Sequence, residues 1–218
     1  MTSYSTLFGG TVEGFLASAA LVLSAAVPDQ KPGRERPFRE RLTRGIRLYL
    51  AMPRLRGLLA LTLGAAAAGA FVIVNTVVLV RSGQGGSNAD VAAALAAFGG
   101  GSMLAALLLP GLLRRVPDRP VMLLSDALLT GAVAGLGGWL MWAPLGQGAL
   151  LAIWALLGLL CAAILTPSGR LLRRSAHAED RPAIFAAQFA LSHACWLVTI
   201  PWRAGRDRRL AWESRCSS

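Results

Sequence analysis

Apolar residues run through this chain in long blocks, and the blocks are separated by short segments dense in arginine. Six blocks have spanning length: 8–27, 57–80, 90–113, 121–142, 146–166 and 183–201. A helix rising about 1.5 Å per residue needs roughly 20 apolar residues to cross about 30 Å of hydrocarbon. No stretch alternates with period two, and an open sheet edge in lipid would leave backbone groups unsatisfied, so strands are excluded. The pattern predicts an all-α, polytopic membrane protein with about six transmembrane helices.

The connections set the expected orientation. Segment 28–56 holds Lys31, Arg34, Arg36, Arg39, Arg41, Arg44, Arg47, Arg54 and Arg56. Segment 114–120 adds Arg114, Arg115 and Arg119, and 167–182 adds Arg170, Arg173, Arg174 and Arg181. The alternate connections, 81–89 and 143–145, hold Arg81 alone. Sixteen against one is a strong positive-inside bias, which predicts that the basic connections are cytoplasmic. The first helix would then run from outside to inside. Its apolar stretch resembles a signal peptide, but it lacks an opening Lys or Arg and carries Glu13, so it reads as a retained helix.

After 183–201 the chain should emerge outside, yet Arg203, Arg206, Arg208, Arg209 and Arg215 follow at once. Either a polar tail keeps the last helix shallow, or the reading frame changes after about Pro201; the second is preferred. Four regions result: a transmembrane helix over 1–27, a basic cytoplasmic linker over 28–56, a five-helix transmembrane bundle over 57–201, and a basic polar tail over 202–218. Within the linker, Phe38, Leu42, Ile46, Tyr49 and Leu50 recur at helical spacing between arginines. Pro37 suits a first turn and Pro53 an end. The expected element is an amphipathic basic helix, lying on anionic lipid or merely tethering two bundles.

Composition agrees with the pattern. Hydrophobic residues make up 55% and charged residues 15% of the chain, and mean hydropathy is +0.54. A soluble domain of 218 residues cannot bury that much apolar surface. The net charge of +11 is distributed as cytoplasmic loops, not as a nucleic-acid surface. Cys161 and Cys195 lie in apolar blocks and Cys216 in the tail, without metal-ligand or disulfide spacing. No nucleophile elbow, phosphate-binding loop or metal cluster occurs, so neither an enzyme nor a cofactor is expected. Gly10/Gly14 and Gly131/Gly135 have the spacing that lets helix backbones approach closely.

The loop residues resemble a known family. A helix ends near Val27-Pro28. A basic loop with Pro37-Phe38-Arg39-Glu40-Arg41-Leu42, Gly45-Ile46-Arg47 and Met52-Pro53-Arg54-Leu55-Arg56 then leads into a new helix. This is similar to the central loop of the major facilitator superfamily, in the branch of macrolide and siderophore exporters. Pro110 to Pro120 resembles that superfamily's C-half loop motif through Gly111, Leu113 and Arg119. Arg115 stands where the motif has Asp, and Asp118 where it has Gly.

The resemblance implies that the six blocks are the sixth to eleventh helices of a twelve-helix fold, a truncated C-terminal half. It implies secondary transport by alternating access, namely proton-coupled efflux of a small amphipathic compound from the bacterial inner membrane. Membrane lipids, a small-molecule substrate and protons would be the partners, together with a second copy or a separate first bundle. The alternatives are a truncated, transport-incompetent product and a non-transporting membrane protein.

Ionisable groups within the blocks are the best site candidates, because burying them is costly unless they line a cavity. Asp126 lies six residues past Pro120, about 9 Å into the span. A carboxyl there suits proton coupling, unless it pairs with Arg119 or Arg115. Glu13 reads as an interfacial carboxylate and Asn75 as helix glue, with pathway roles as their alternatives. Gln188, Ser192, Cys195 and Thr199 form one polar stripe, facing either a water-filled path or a neighbouring helix. His193 is adjacent, and histidine suits proton exchange near neutral pH.

Overall fold

A computed structural model describes residues 4–24, 38–177 and 179–216, with side chains described over 9–24, 43–177, 179–197 and at Thr199. Every regular element among these residues is a helix: α1 (Tyr4–Ser24), α2 (Phe38–Ala51), α3 (Pro53–Val78), α4 (Asn88–Leu112), α5 (Asp118–Leu140), α6 (Gln147–Leu165), α7 (Ser168–Ser175) and α8 (Arg181–Cys216). Residues 1–37 and 38–218 are separate compact units. The linker segment before Phe38 lies outside the described residues.

Among the described residues, four helical stretches are long and apolar enough to cross a membrane: Pro53–Gly83, Asn88–Leu112, Asp118–Leu140 and Gln147–Ser175. They coincide with four of the six expected blocks. The first block corresponds to a shorter apolar stretch, Gly9–Ser24. The helix that contains it, α1, is 21 residues long and reaches about 32 Å. The sixth block lies in α8, whose backbone continues as helix through the expected tail to Cys216.

Local signals explain where the spans begin. Pro53 opens α3 after Met52, whose extended backbone turns the chain out of α2. Ser87 caps α4 in a reciprocal pair: its hydroxyl accepts from the Asp90 N–H, and its own N–H donates to the Asp90 carboxylate. Pro117 precedes α5, placing Asp118 in the first turn. The turn between α3 and α4 needs Gly85, at φ +64°.

Within the second unit, α3 and α6 form the inner pair. Trp154 of α6 is fully buried, donates its indole N–H to the Thr76 hydroxyl at 2.7 Å, and meets the Phe71 ring at 6.1 Å between centroids. The Thr76 hydroxyl donates onward to the Val72 carbonyl, so no polar group of this contact is left unpaired. Helix α4 packs most closely on α6, where a Cβ at Gly101 would overlap the Ala155 carbonyl and one at Gly158 the Phe98 carbonyl. Ser102 exploits the gap by donating to the Gly158 carbonyl at 3.0 Å. The close approach therefore falls on Gly101 and Gly158. Gly10, Gly14, Gly131 and Gly135, whose spacing suggested it, have open space around them. Four-residue spacing marks a smooth face but does not say whether a neighbour meets it.

The outer faces of α4 and α5 are apolar and exposed, with Met103, Leu107, Leu108 and Leu124 pointing away from the bundle. Trp139 and Trp142 project at the far end of α5, where amphipathic rings suit a membrane–water boundary.

Candidate functional site

The connections gather at two ends, in agreement with the alternation of the charge pattern. At the arginine-rich end, Asp118 is buried and meets Arg170 at 2.7 Å and Arg174 at 3.3 Å, both on α7. Arg174 makes a directed hydrogen bond, whereas Arg170 faces Oδ1 as a charge contact outside hydrogen-bond geometry and donates to the Leu113 carbonyl at 3.3 Å. Asp118, which sequence comparison shows only as a departure from a motif, is thus the anchor tying the α4–α5 loop to α7. Of the motif residues, Leu113 is buried, Gly111 has open space around it, and Arg119 is exposed without a carboxylate partner among the described residues.

Helix α2 docks on α8 at the same end. A Cβ at Gly45 would collide with the Ala183 carbonyl, Arg44 pairs with Asp180 at 3.2 Å, and the Tyr49 hydroxyl donates to Gln188 Oε1. Burial raises the Tyr49 phenol above its ordinary pKa, and the nearby Cys195 adds to the shift. Its neutral form, the form that donates, is the one the fold favours.

Asp126 stands apart from these clusters. It lies on the inner face of α5 between the buried Met122 and Leu129, and it is itself half-buried. A Cβ at Gly64 of α3 would come within 2.7 Å of the carboxylate, so glycine there lets the acid lie against the α3 backbone. Neither Arg115 nor Arg119 pairs with it, and it has no hydrogen-bond or cationic partner among the described residues. The acid that Arg170 and Arg174 of α7 neutralise at this end is Asp118.

The remaining candidates do not converge on Asp126. Asn75 donates to the Phe71 carbonyl of its own helix at 3.1 Å, and lies 11 residues, roughly 16 Å, along α3 from Gly64. Gln188 is taken up by Tyr49. Ser192 donates to the Phe189 carbonyl at 2.9 Å and Thr199 to the Cys195 carbonyl at 2.9 Å, so the stripe on α8 satisfies its hydroxyls within the helix. His193 is exposed, bonded to the Phe189 carbonyl at 2.8 Å, and its ring lies tilted at 38° against the Phe189 ring. Glu13 belongs to the separate first unit and is exposed. Among the described residues, no three His, Cys, Asp or Glu side chains group to hold a metal ion.

Comparison with known protein families, with curated proteins and with solved structures returns no match. The two residues that define the Asp126 niche differ in legibility. The acid stands out in an apolar block, whereas Gly64 is one small residue in the Ala-rich run from Gly64 to Ala70.

Proposed function

We propose that this chain is a multi-pass protein of the bacterial inner membrane, of the major facilitator type. In this reading it works in proton-coupled efflux of a small amphipathic compound, as part of a larger transporter. Its arginine-rich end is cytoplasmic, and its six apolar blocks serve as the sixth to eleventh helices of that fold. The observation that carries the proposal is Asp126, a half-buried carboxyl in a span, without a cation, held against a glycine. A structural acid in such a place is normally paired, as Asp118 is. An unpaired one can exchange a proton as access alternates between the two sides. The loop resemblance supplies the transporter class, and the lone acid supplies the coupling site.

The test is proton-driven flux of a fluorescent amphipathic cation in inner-membrane vesicles of the native host, where the rest of the transporter is present. Asp126→Asn should lower the flux at least about a hundredfold, the scale expected when a group essential to proton transfer is removed. Equal flux in the variant would remove Asp126 from the mechanism.

A second reading, a transport-incompetent product, draws on the arginine run after 183–201, which breaks the charge alternation the rest of the chain obeys. Absence of flux from verified, correctly inserted protein would favour it.

A further inference from the structure

The arginines at the arginine-rich end fall into two groups. Arg44, Arg170 and Arg174 face carboxylates. Arg47, Arg54 and Arg56, like Arg114, Arg115, Arg119 and Arg173, are exposed and have no carboxylate partner among the described residues. Arg47 also lines a surface groove of about 440 Å³ together with Thr43, Arg44, Leu48 and Ala51. We propose that this groove on α2 binds the headgroup of an anionic phospholipid.

Three observations select that ligand. The lining joins two guanidinium groups to apolar side chains, which fits a phosphate carrying glycerol and acyl carbons better than a free anion. Arg44 spends one nitrogen on Asp180 and keeps its remaining donors, while Arg47 keeps all of its own. Depth is the second observation. Only Met52 separates α2 from the spanning helix α3, and Arg54 and Arg56 occupy the first turn of that span. Arginines at the start of a span mark the membrane–water boundary, and α2 is joined to that start by a single residue.

The third is the side of α2 that is already used. Gly45 and Tyr49 are buried, and with Ile46 they turn toward α8, where Ile184 and Ala187 share their cluster. An amphipathic helix inserting into lipid would present that apolar side to the acyl chains. Here it is spent on protein, and the face left over is the basic one. Binding is therefore a headgroup contact by a docked helix, not insertion. It requires a membrane but not transport, so it stands or falls independently of the function proposed above.

Native mass spectrometry of the whole chain, released from detergent micelles doped with equal phosphatidylglycerol and phosphatidylcholine, tests the site. Phosphatidylglycerol adducts should predominate, and Arg47→Gln should reduce them several-fold. Arg173→Gln, which removes another exposed arginine from α7, should leave them unchanged. Equal loss in both variants would replace the groove with diffuse basic attraction and overturn the proposal. Equal retention of the two lipids, or displacement by millimolar inorganic phosphate, would overturn it too. An unfolding midpoint equal to the parent's in both variants ensures that lost adducts report lost contacts.

Discussion

The two ends of the bundle are held by different chemistry. At the arginine-rich end, charged and phenolic side chains tie together segments far apart in the chain: Asp118 to Arg170 and Arg174, Arg44 to Asp180, Tyr49 to Gln188. At the other end no ion pair occurs among the described residues, and each tie has at least one neutral partner. Ser87 and Asp90 close a cap, Gln147 donates to Asp90 at 3.1 Å, and Gln84 donates to the Leu145 carbonyl at 2.6 Å. Arg81 is used locally, on Asn88. An end rich in cations needs buried acids to organise them, and one acid serving two arginines leaves the others free for an outside partner. An end poor in charge can rely on amides and a cap, and it loses less when a single group is removed.

That contrast can be broken by mutation, and the largest effect should come from Asp118→Ala. It leaves Arg170, two-thirds buried, facing an empty site, and it strips an acid from the first turn of α5. Removing one partner of a buried ion pair costs about 3 kcal/mol or more, and the exposure of Arg174 places this one at about 3 kcal/mol. Equilibrium unfolding in mixed micelles would measure it. A cost no greater than that of Arg174→Gln would show that Asp118 is not the organiser of this end.

At the opposite end, Asp90→Ala removes half of the cap and the Gln147 contact. A loss smaller than that of Asp118→Ala is expected by the same assay. If it matched or exceeded Asp118→Ala, the contrast between the ends would be reversed.

The smallest effect is expected from Tyr49→Phe, about 1 kcal/mol, for one net hydrogen bond. It sharpens the comparison through pH. The Tyr49 phenol is raised above its ordinary pKa of about 10. Below that value both folded and unfolded chains are protonated, and the contribution is constant. Above it, the unfolded chain ionises first and binds fewer protons, so stability falls as pH rises. Unfolding midpoints measured from pH 8 to 11 should fall more steeply for the parent than for Tyr49→Phe. Parallel curves would mean that the phenol is not buried against α8.

The sequence made the helices legible and their partners mostly not. Apolar run length located four spans, because a span is a one-dimensional property of the chain. The alternation of arginine counts sorted the connections into ends, and the contacts Arg44–Asp180 and Gln84–Leu145 each join connections of one set. Which arginine would take Asp118, and that Asp126 would be left without one, depended on how α5 is rotated against α3 and α7. No periodicity encodes that rotation. The same holds for glycine: Gly101 and Gly158 touch a neighbour because of the face they occupy, while equally spaced pairs elsewhere do not. Asp126 was legible as a lone acid; its resting place on Gly64 was not.

The docking of α2 has a consequence for biogenesis. Tyr49 and Gln188 are 139 residues apart, so the ribosome must make α3 to α7 before the partner of α2 exists. Throughout that interval the side of α2 bearing Gly45 and Tyr49 lacks the α8 surface on which it docks. The joint closes only when α8 emerges, which makes it the last long-range step in assembling this end. A chain stalled before Ala183 would carry its spanning helices and still lack the clasp that fastens α2 beside them.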